Sequence, residues 1–213
     1  MKTSELIAML ARGDVAVAPV RVERRFAIGI GLGLSVAVLL MEVMLGARDD
    51  FYAVLNMPIF WVKLAFAASL ACTSLLGVMR LSRPGARLRL TPAAMFAPTV
   101  ALWLMGVVTL FSATPQQRMN LILGDTWDVC PALITMLSVP LLVGTLLAAR
   151  GMAPTHLRLA GAAAGLSSGA FATLVYSLHC PEMTAPFIAI WYTLGIAIPA
   201  VFGALLGPSL LRW

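Results

Sequence analysis

The sequence predicts an all-α, polytopic membrane protein with six transmembrane helices and both termini in the cytoplasm. Of its 213 residues, 61% are hydrophobic and only 11% are charged. A soluble domain of that composition would expose large apolar patches. Six long apolar stretches indicate six membrane helices, and a one-sided distribution of arginine indicates their orientation. The composition therefore places the chain in a lipid bilayer.

Each apolar stretch is close to the length needed for crossing the membrane, which is about 20 helical residues for roughly 30 Å of hydrocarbon. The stretches are residues 26–45, 58–79, 93–111, 132–149, 157–178 and 187–206. No cleavable signal is indicated, because the first stretch follows 25 largely polar residues and is itself long enough to span. We therefore predict a cytoplasmic N-terminal arm, residues 1–25, and a six-helix transmembrane domain, residues 26–213.

Positive charge predicts the orientation, because lysine and arginine are retained on the cytoplasmic side during insertion. Twelve of the fifteen lie before the first stretch, in the second and fourth loops, or at the C-terminus. The opposite loops hold Arg48 and Arg118 and collect the acidic residues. This asymmetry accounts for the net charge of +6, so no direct nucleic-acid partner is predicted.

Small residues at four-residue spacing predict close packing between helices. Such spacing recurs in the first, fifth and last stretches, at Gly29 and Gly33, at Gly161, Gly165 and Gly169, and at Gly203 and Gly207. We expect these faces to pack a compact bundle within one chain, with a dimer interface as the alternative.

Two ionisable residues fall inside the stretches, where a charge needs a partner or a route to the interface. Glu42 lies near the end of the first stretch, and Lys63 lies about one and a half turns into the second. Their depths match on consecutive antiparallel helices, which predicts an ion pair between Glu42 and Lys63. The alternative is that each side chain reaches the membrane surface independently.

Two Cys-Pro dipeptides, Cys130-Pro131 and Cys180-Pro181, lie at the ends of apolar stretches. A short basic loop joins the fourth and fifth stretches, which predicts antiparallel neighbours with both thiols opposite the cytoplasm. Neighbouring helix axes lie about 8 to 10 Å apart and a disulfide needs α-carbons within about 7 Å, so a bond is allowed but not required. Redox-active or bridged thiols, metal coordination and passive cysteines all stay open as interpretations.

Polar residues near these sensing candidates can support the site by ligating a metal or changing thiolate character. They are His179, Glu182, Asp125 and Asp128. The candidate metal ligands are Cys130, Cys180 and His179, although their spacing matches no known metal signature. No cofactor is predicted. Cys72 lies deep in the second stretch, and we expect it to be a small apolar filler.

The N-terminal arm carries a short amphipathic pattern. Leu6, Ile7 and Leu10 form an apolar stripe, and Arg21 follows in a Pro-Val-Arg sequence. An element of this kind either lies on the membrane surface or docks into a groove on another protein. These four residues are therefore candidates for binding a partner.

Several of these motifs together resemble the NrsF-like membrane proteins of bacteria, which are negative regulators of extracytoplasmic-function sigma factors. The resemblance spans nearly the whole chain. It rests on the N-terminal Thr-x-x-Leu-Ile and Pro-Val-Arg patterns, the loop 80–85, Cys130-Pro131, the Leu-His-Cys-Pro-Glu string at 178–182, and the tail 207–213.

The resemblance implies a multi-pass protein of the bacterial inner membrane and no enzyme. Its cytosolic arm would hold an extracytoplasmic-function sigma factor inactive, and Cys130 and Cys180 would take part in release under oxidant or metal stress. Two other classes remain as alternatives, a membrane thiol or quinone oxidoreductase and a small transporter. The oxidoreductase lacks a vicinal cysteine pair, and the transporter lacks a charge at the membrane midplane.

Overall fold

The computed structural model describes residues 3, 5, 22–46, 48, 50–82, 91–150, 152 and 154–212, and over these the regular secondary structure is entirely helical. The partner-binding candidates Leu6, Ile7, Leu10 and Arg21 lie outside the described residues. The helices in chain order are α1 Val22–Met44, α2 Phe51–Val54, α3 Pro58–Leu81, α4 Thr91–Ser112, α5 Pro115–Leu123, α6 Cys130–Arg150, α7 Leu157–Tyr176 and α8 Ala185–Leu210.

Six of these helices are long and apolar enough to cross a membrane, and they coincide with the six predicted stretches. The first begins at Val22, four residues before the predicted start. Helices α2 and α5 are short and lie in connections between long helices. The all-α prediction is therefore confirmed over the described residues.

The two ends of the bundle differ in chemistry. We call the end where α6 begins and α7 ends the cysteine end, since Cys130 and Cys180 both lie there. We call the other the basic end, where α1 and α7 begin and α3, α6 and α8 end. It carries Arg25, Arg80, Arg150, Arg158 and Arg212.

Helix α7 lies at the centre of the bundle and packs against α8, α3 and α6. Its contact with α8 is made by glycines. A methyl group on Gly161 would collide with the carbonyl of Gly203, and one on Gly165 would collide with the carbonyl of Pro199. The predicted packing of small residues within one chain is thus present, and it brings the two backbones into direct contact.

Helix α1 packs against α6 and makes little contact with α3, its neighbour in sequence. Gly29 lies against Gly144, and Gly33 lies against Leu141. Helix α4 is peripheral: 11% of its apolar window is buried, compared with 72% for α7. Chain order therefore does not give the neighbour of α1.

Candidate functional site

Three connections meet at the cysteine end. Loop A, residues 45–57, contains α2 and joins α1 to α3; loop B, residues 113–129, contains α5 and joins α4 to α6; loop C, residues 177–184, joins α7 to α8. Loop C makes hydrogen bonds to both of the others. It also carries Cys180, so the position of that thiol depends on all three loops.

The structure brings the two predicted thiols together. Cys130 is the first residue of α6 and Cys180 lies in loop C, and both are fully buried and free. The two sulfurs are near enough for each to affect the ionisation of the other. The neighbouring Cys130 thiol lowers the pKa of Cys180, burial opposes the shift, and the charge of Lys63 adds to it. A thiolate beside a thiol is the arrangement from which a disulfide forms.

Lys63 lies beneath loop C with no exposed surface. Its Nζ donates to the carbonyl oxygens of Cys180, at 3.1 Å, and Glu182, at 3.2 Å. The same nitrogen lies 5.1 Å from the ring centroid of Tyr192. An ammonium has three N–H donors, and here two carbonyls and one aromatic face are available to them.

The predicted ion pair between Glu42 and Lys63 does not form. Glu42 is exposed on α1, while Lys63 faces loop C from α3. The prediction assumed that consecutive helices are neighbours, but α1 packs against α6 instead. Matching depth along two helices is not enough when the helices are not adjacent.

Loop A is tied to loop C by two side chains. Arg48 donates from Nη1 to the carbonyl of Cys180, at 3.3 Å, and forms an ion pair with Asp50. His179 donates from Nδ1 to the carbonyl of Gly46, at 2.8 Å. The hydrogen bond from Arg48 lowers the pKa of Asp50. The carbonyl of Cys180 thus accepts hydrogen bonds from two cationic side chains.

Loop B is tied to the other side of loop C. The Glu182 carboxylate accepts the backbone N–H of Asp125, at 2.7 Å. Thr184 donates from Oγ1 to the carbonyl of Leu121, at 3.0 Å. These contacts place Glu182 at a junction between loops rather than beside the sulfurs.

The predicted supporting residues do not gather around the thiols as metal ligands. His179 binds loop A, Glu182 binds loop B, and the side chains of Asp125 and Asp128 are exposed. No group of three His, Cys, Asp or Glu side chains suited to a metal occurs in the part of the chain that the structure describes. Cys72, predicted to be a filler, is exposed on α3.

Sequence reasoning missed two tyrosines at this site. Tyr176 ends α7 and Tyr192 lies in a π-helical turn, Ile188–Tyr192, within α8. Both are buried beside the thiols, and their ring centroids are 6.0 Å apart. The chain has only three tyrosines, and the placement of two of them around Cys180 was the available signal. The π-helical turn itself has no signature in the residues.

Comparison with known proteins gives consistent results. The family model described as "NrsF: Negative regulator of sigma F" matches residues 10–213. The chain is 51% identical over 213 residues to "Probable anti-sigma-F factor NrsF" of Azospira oryzae, and 39% identical over 220 residues to "Anti-sigma-F factor NrsF" of Caulobacter vibrioides. Both alignments cover 100% of each chain. No solved structure matches the chain significantly.

Proposed function

The chain belongs to the NrsF family, and from that premise we propose that it is an anti-sigma factor which holds an extracytoplasmic-function sigma factor at the bacterial inner membrane. The family is regulatory and not enzymatic, so the oxidoreductase alternative is set aside. Release of the sigma factor follows oxidation of Cys130 and Cys180. The observation that carries this trigger is the burial of two neighbouring thiols where three loops converge.

Charge distribution supports the proposed orientation. The basic end carries the arginines that flank five of the long helices, and the positive-inside rule places such an end in the cytosol. The N-terminal arm precedes α1 at that same end. Arm and arginines would then form the sigma-factor surface, with the cysteine end facing the periplasm, where disulfides persist.

The proposed trigger is a two-electron oxidation. The Cys180 thiolate attacks a peroxide, cleaves its O–O bond and becomes a sulfenic acid, while the displaced hydroxide takes up a proton to form water. The Cys130 sulfur then attacks the sulfenic sulfur, its proton leaves with the hydroxyl as a second water, and the S–S bond forms. Two thiol groups are oxidised and one peroxide is reduced to two waters.

Disulfide formation brings the two sulfurs to about 2 Å from each other. Cys130 begins α6 and Cys180 is carried by loop C, so the bond draws loop C toward α6. Helix α6 packs against α1, whose N-terminus follows the arm. The path from the thiols to the arm therefore runs through two helices in contact.

Purification in mild detergent tests both parts of the proposal. We expect the reduced protein to retain its sigma factor and to release it after treatment with peroxide. Cys130→Ser and Cys180→Ser should retain the partner under peroxide. Cys72→Ser is the matched control, because this third thiol is exposed on α3 and should release normally.

The outcomes separate the two claims. If the reduced wild type retains no sigma factor, the anti-sigma proposal fails. If the double variant Cys130→Ser, Cys180→Ser releases the partner as the wild type does, the thiol trigger fails while the anti-sigma role stands. A parallel challenge with a thiophilic metal ion shows whether the same pair responds to metal stress.

A further inference from the structure

Lys63 is the single buried cation among the described residues, and the only other lysine in the chain is Lys2. A buried ammonium without compensating charge is costly. The two carbonyls and the ring of Tyr192 satisfy its N–H groups, but they supply only dipoles. A negative charge nearby would stabilise it further.

No carboxylate supplies that charge among the residues that the structure describes, where the hydrogen bonds of Lys63 Nζ end on backbone carbonyls. Glu182 presents its backbone carbonyl to Lys63, while its carboxylate is turned toward loop B. Glu42 is exposed on α1. Neither carboxylate is thus directed at Lys63.

The remaining groups around Lys63 can be named for each packed element. Loop C contributes Cys180, α6 contributes Cys130 and α8 contributes Tyr192, while Tyr176 of α7 lies beside the thiols. Loop A contributes a second cation, Arg48, which Asp50 neutralises. Of the four ionisable acids, the thiols ionise more readily than the phenols.

We infer that Lys63 is a positioning residue whose ammonium is the counter-ion of the Cys180 thiolate and keeps the thiol pair reactive. The same ammonium binds the Cys180 carbonyl, so one side chain fixes both the place and the charge of the sulfur. This inference rests on the proposed function for its biological use. Its physical content does not depend on a sigma factor.

Oxidation changes the charge around Lys63. One thiolate and one thiol become a neutral disulfide, so the negative charge beside Lys63 disappears while the ammonium stays. Lys63 then keeps only its contacts with the two loop C carbonyls and the ring of Tyr192. Its attraction to loop C is therefore weaker. The loss of charge therefore reaches α3, whose far end lies at the basic end.

The first experiment measures thiol reactivity in the purified full-length protein without partner. In a Cys72→Ser background, the rate of alkylation by iodoacetamide is followed from about pH 5 to about pH 9. Lys63→Met should slow alkylation of Cys180 roughly tenfold or more at neutral pH, because loss of the cation raises the pKa of the thiol, and one unit is a factor of ten. The difference in rate should vanish at high pH, where Cys180 is ionised in the Lys63→Met variant as well as in the protein that keeps Lys63.

Two variants serve as controls. Lys63→Arg keeps the charge and should restore most of the alkylation rate, whereas Glu42→Gln should leave the pH profile unchanged. Thermal unfolding by circular dichroism identifies variants that fold. A folded Lys63→Met protein with the wild-type pH profile overturns the inference.

A reciprocal measurement does not need any substitution at Lys63. If the thiolate stabilises the ammonium, then Cys180→Ser must make Lys63 lose its proton more readily. Acylation of Lys63 by a small uncharged ester should accelerate several-fold, relative to Cys72→Ser, as measured by mass spectrometry. An unchanged rate overturns the inference. Neither experiment involves sigma-factor release, so failure here and failure of the proposed function are distinguishable.

Discussion

The α7–α8 interface and the cysteine end are held together by different physics. In the interface, Gly161 and Gly165 bring the two backbones into contact, and the fit depends on shape alone. At the cysteine end, loop C is held by hydrogen bonds and buried charge from α3, loop A and loop B. One region contains nothing that a chemical signal can alter, whereas the other consists of groups that oxidation or protonation changes directly.

The α7–α8 interface is therefore rigid, whereas the cysteine end can respond to a chemical change. Packing of backbone against backbone has one arrangement, because no side chain can rotate to relieve a displacement. A polar junction has several arrangements of similar energy once one contact is lost. The contrast predicts that substitutions in the interface affect stability most, and that substitutions at the cysteine end act locally.

The largest effect is expected for Gly165→Ala. The added methyl group would collide with the backbone of Pro199, which cannot yield as a flexible side chain can. Overpacking of this kind costs about 3 kcal/mol. Denaturant unfolding in detergent measures the loss. The matched control is Gly31→Ala, where nothing lies within 4 Å of the new methyl group, and where a gain of roughly 0.5 to 1 kcal/mol is expected. Equal stabilities for the two variants would contradict the distinction between the regions.

An intermediate effect is expected for Glu182→Gln. The substitution removes the charge from the acceptor of the Asp125 N–H, while an oxygen remains to accept it. The loss should be about 1 kcal/mol. Faster hydrogen exchange should be confined to loop B and loop C. Asp128→Asn removes an exposed carboxylate and serves as the control. Faster exchange spread along α7 would show that the two regions are not separate.

The smallest effect is expected for Asp50→Asn, because the ion pair with Arg48 is screened by solvent on the Asp50 side. Arg48 lowers the pKa of Asp50 from 3.8. The stabilisation of the folded state by the pair is therefore complete above pH 3.8, and it is lost as the pH falls through the lowered pKa of Asp50. The variant should lack this acid-induced loosening of loop A, as measured by exchange at low pH. Identical acid profiles for the variant and the wild type would argue against the pair.

Much of the interface was predictable from sequence. Hydropathy located six helices, and the glycine spacing identified the faces of α7 and α8 that pack together. Both signals are repeated along a helix, so errors at one position do not change the prediction. Hydropathy alone did not separate the central α7 from the peripheral α4, since lipid and protein interior are equally apolar.

Less of the cysteine end was predictable. The two thiols could be placed at one end, but the partners of Lys63 are backbone carbonyls, which every residue carries and no motif reveals. The assignment of Glu42 failed because α1 packs against α6 and not against α3, the next long helix in the chain. Tyr192 was missed because a π-helical turn changes which side of a helix a residue faces.

That turn has a consequence for insertions and deletions. An ordinary helix advances about 100° per residue, so removing one residue swings everything beyond it onto a new side. The segment Ile188–Tyr192 already holds a surplus residue relative to α-helical winding. Trimming one position there would regularise α8 and leave its glycines seated against α7, but it would turn the start of α8 away from α4. The number of residues in this turn thus sets how the start of α8 is rotated relative to the rest of the helix.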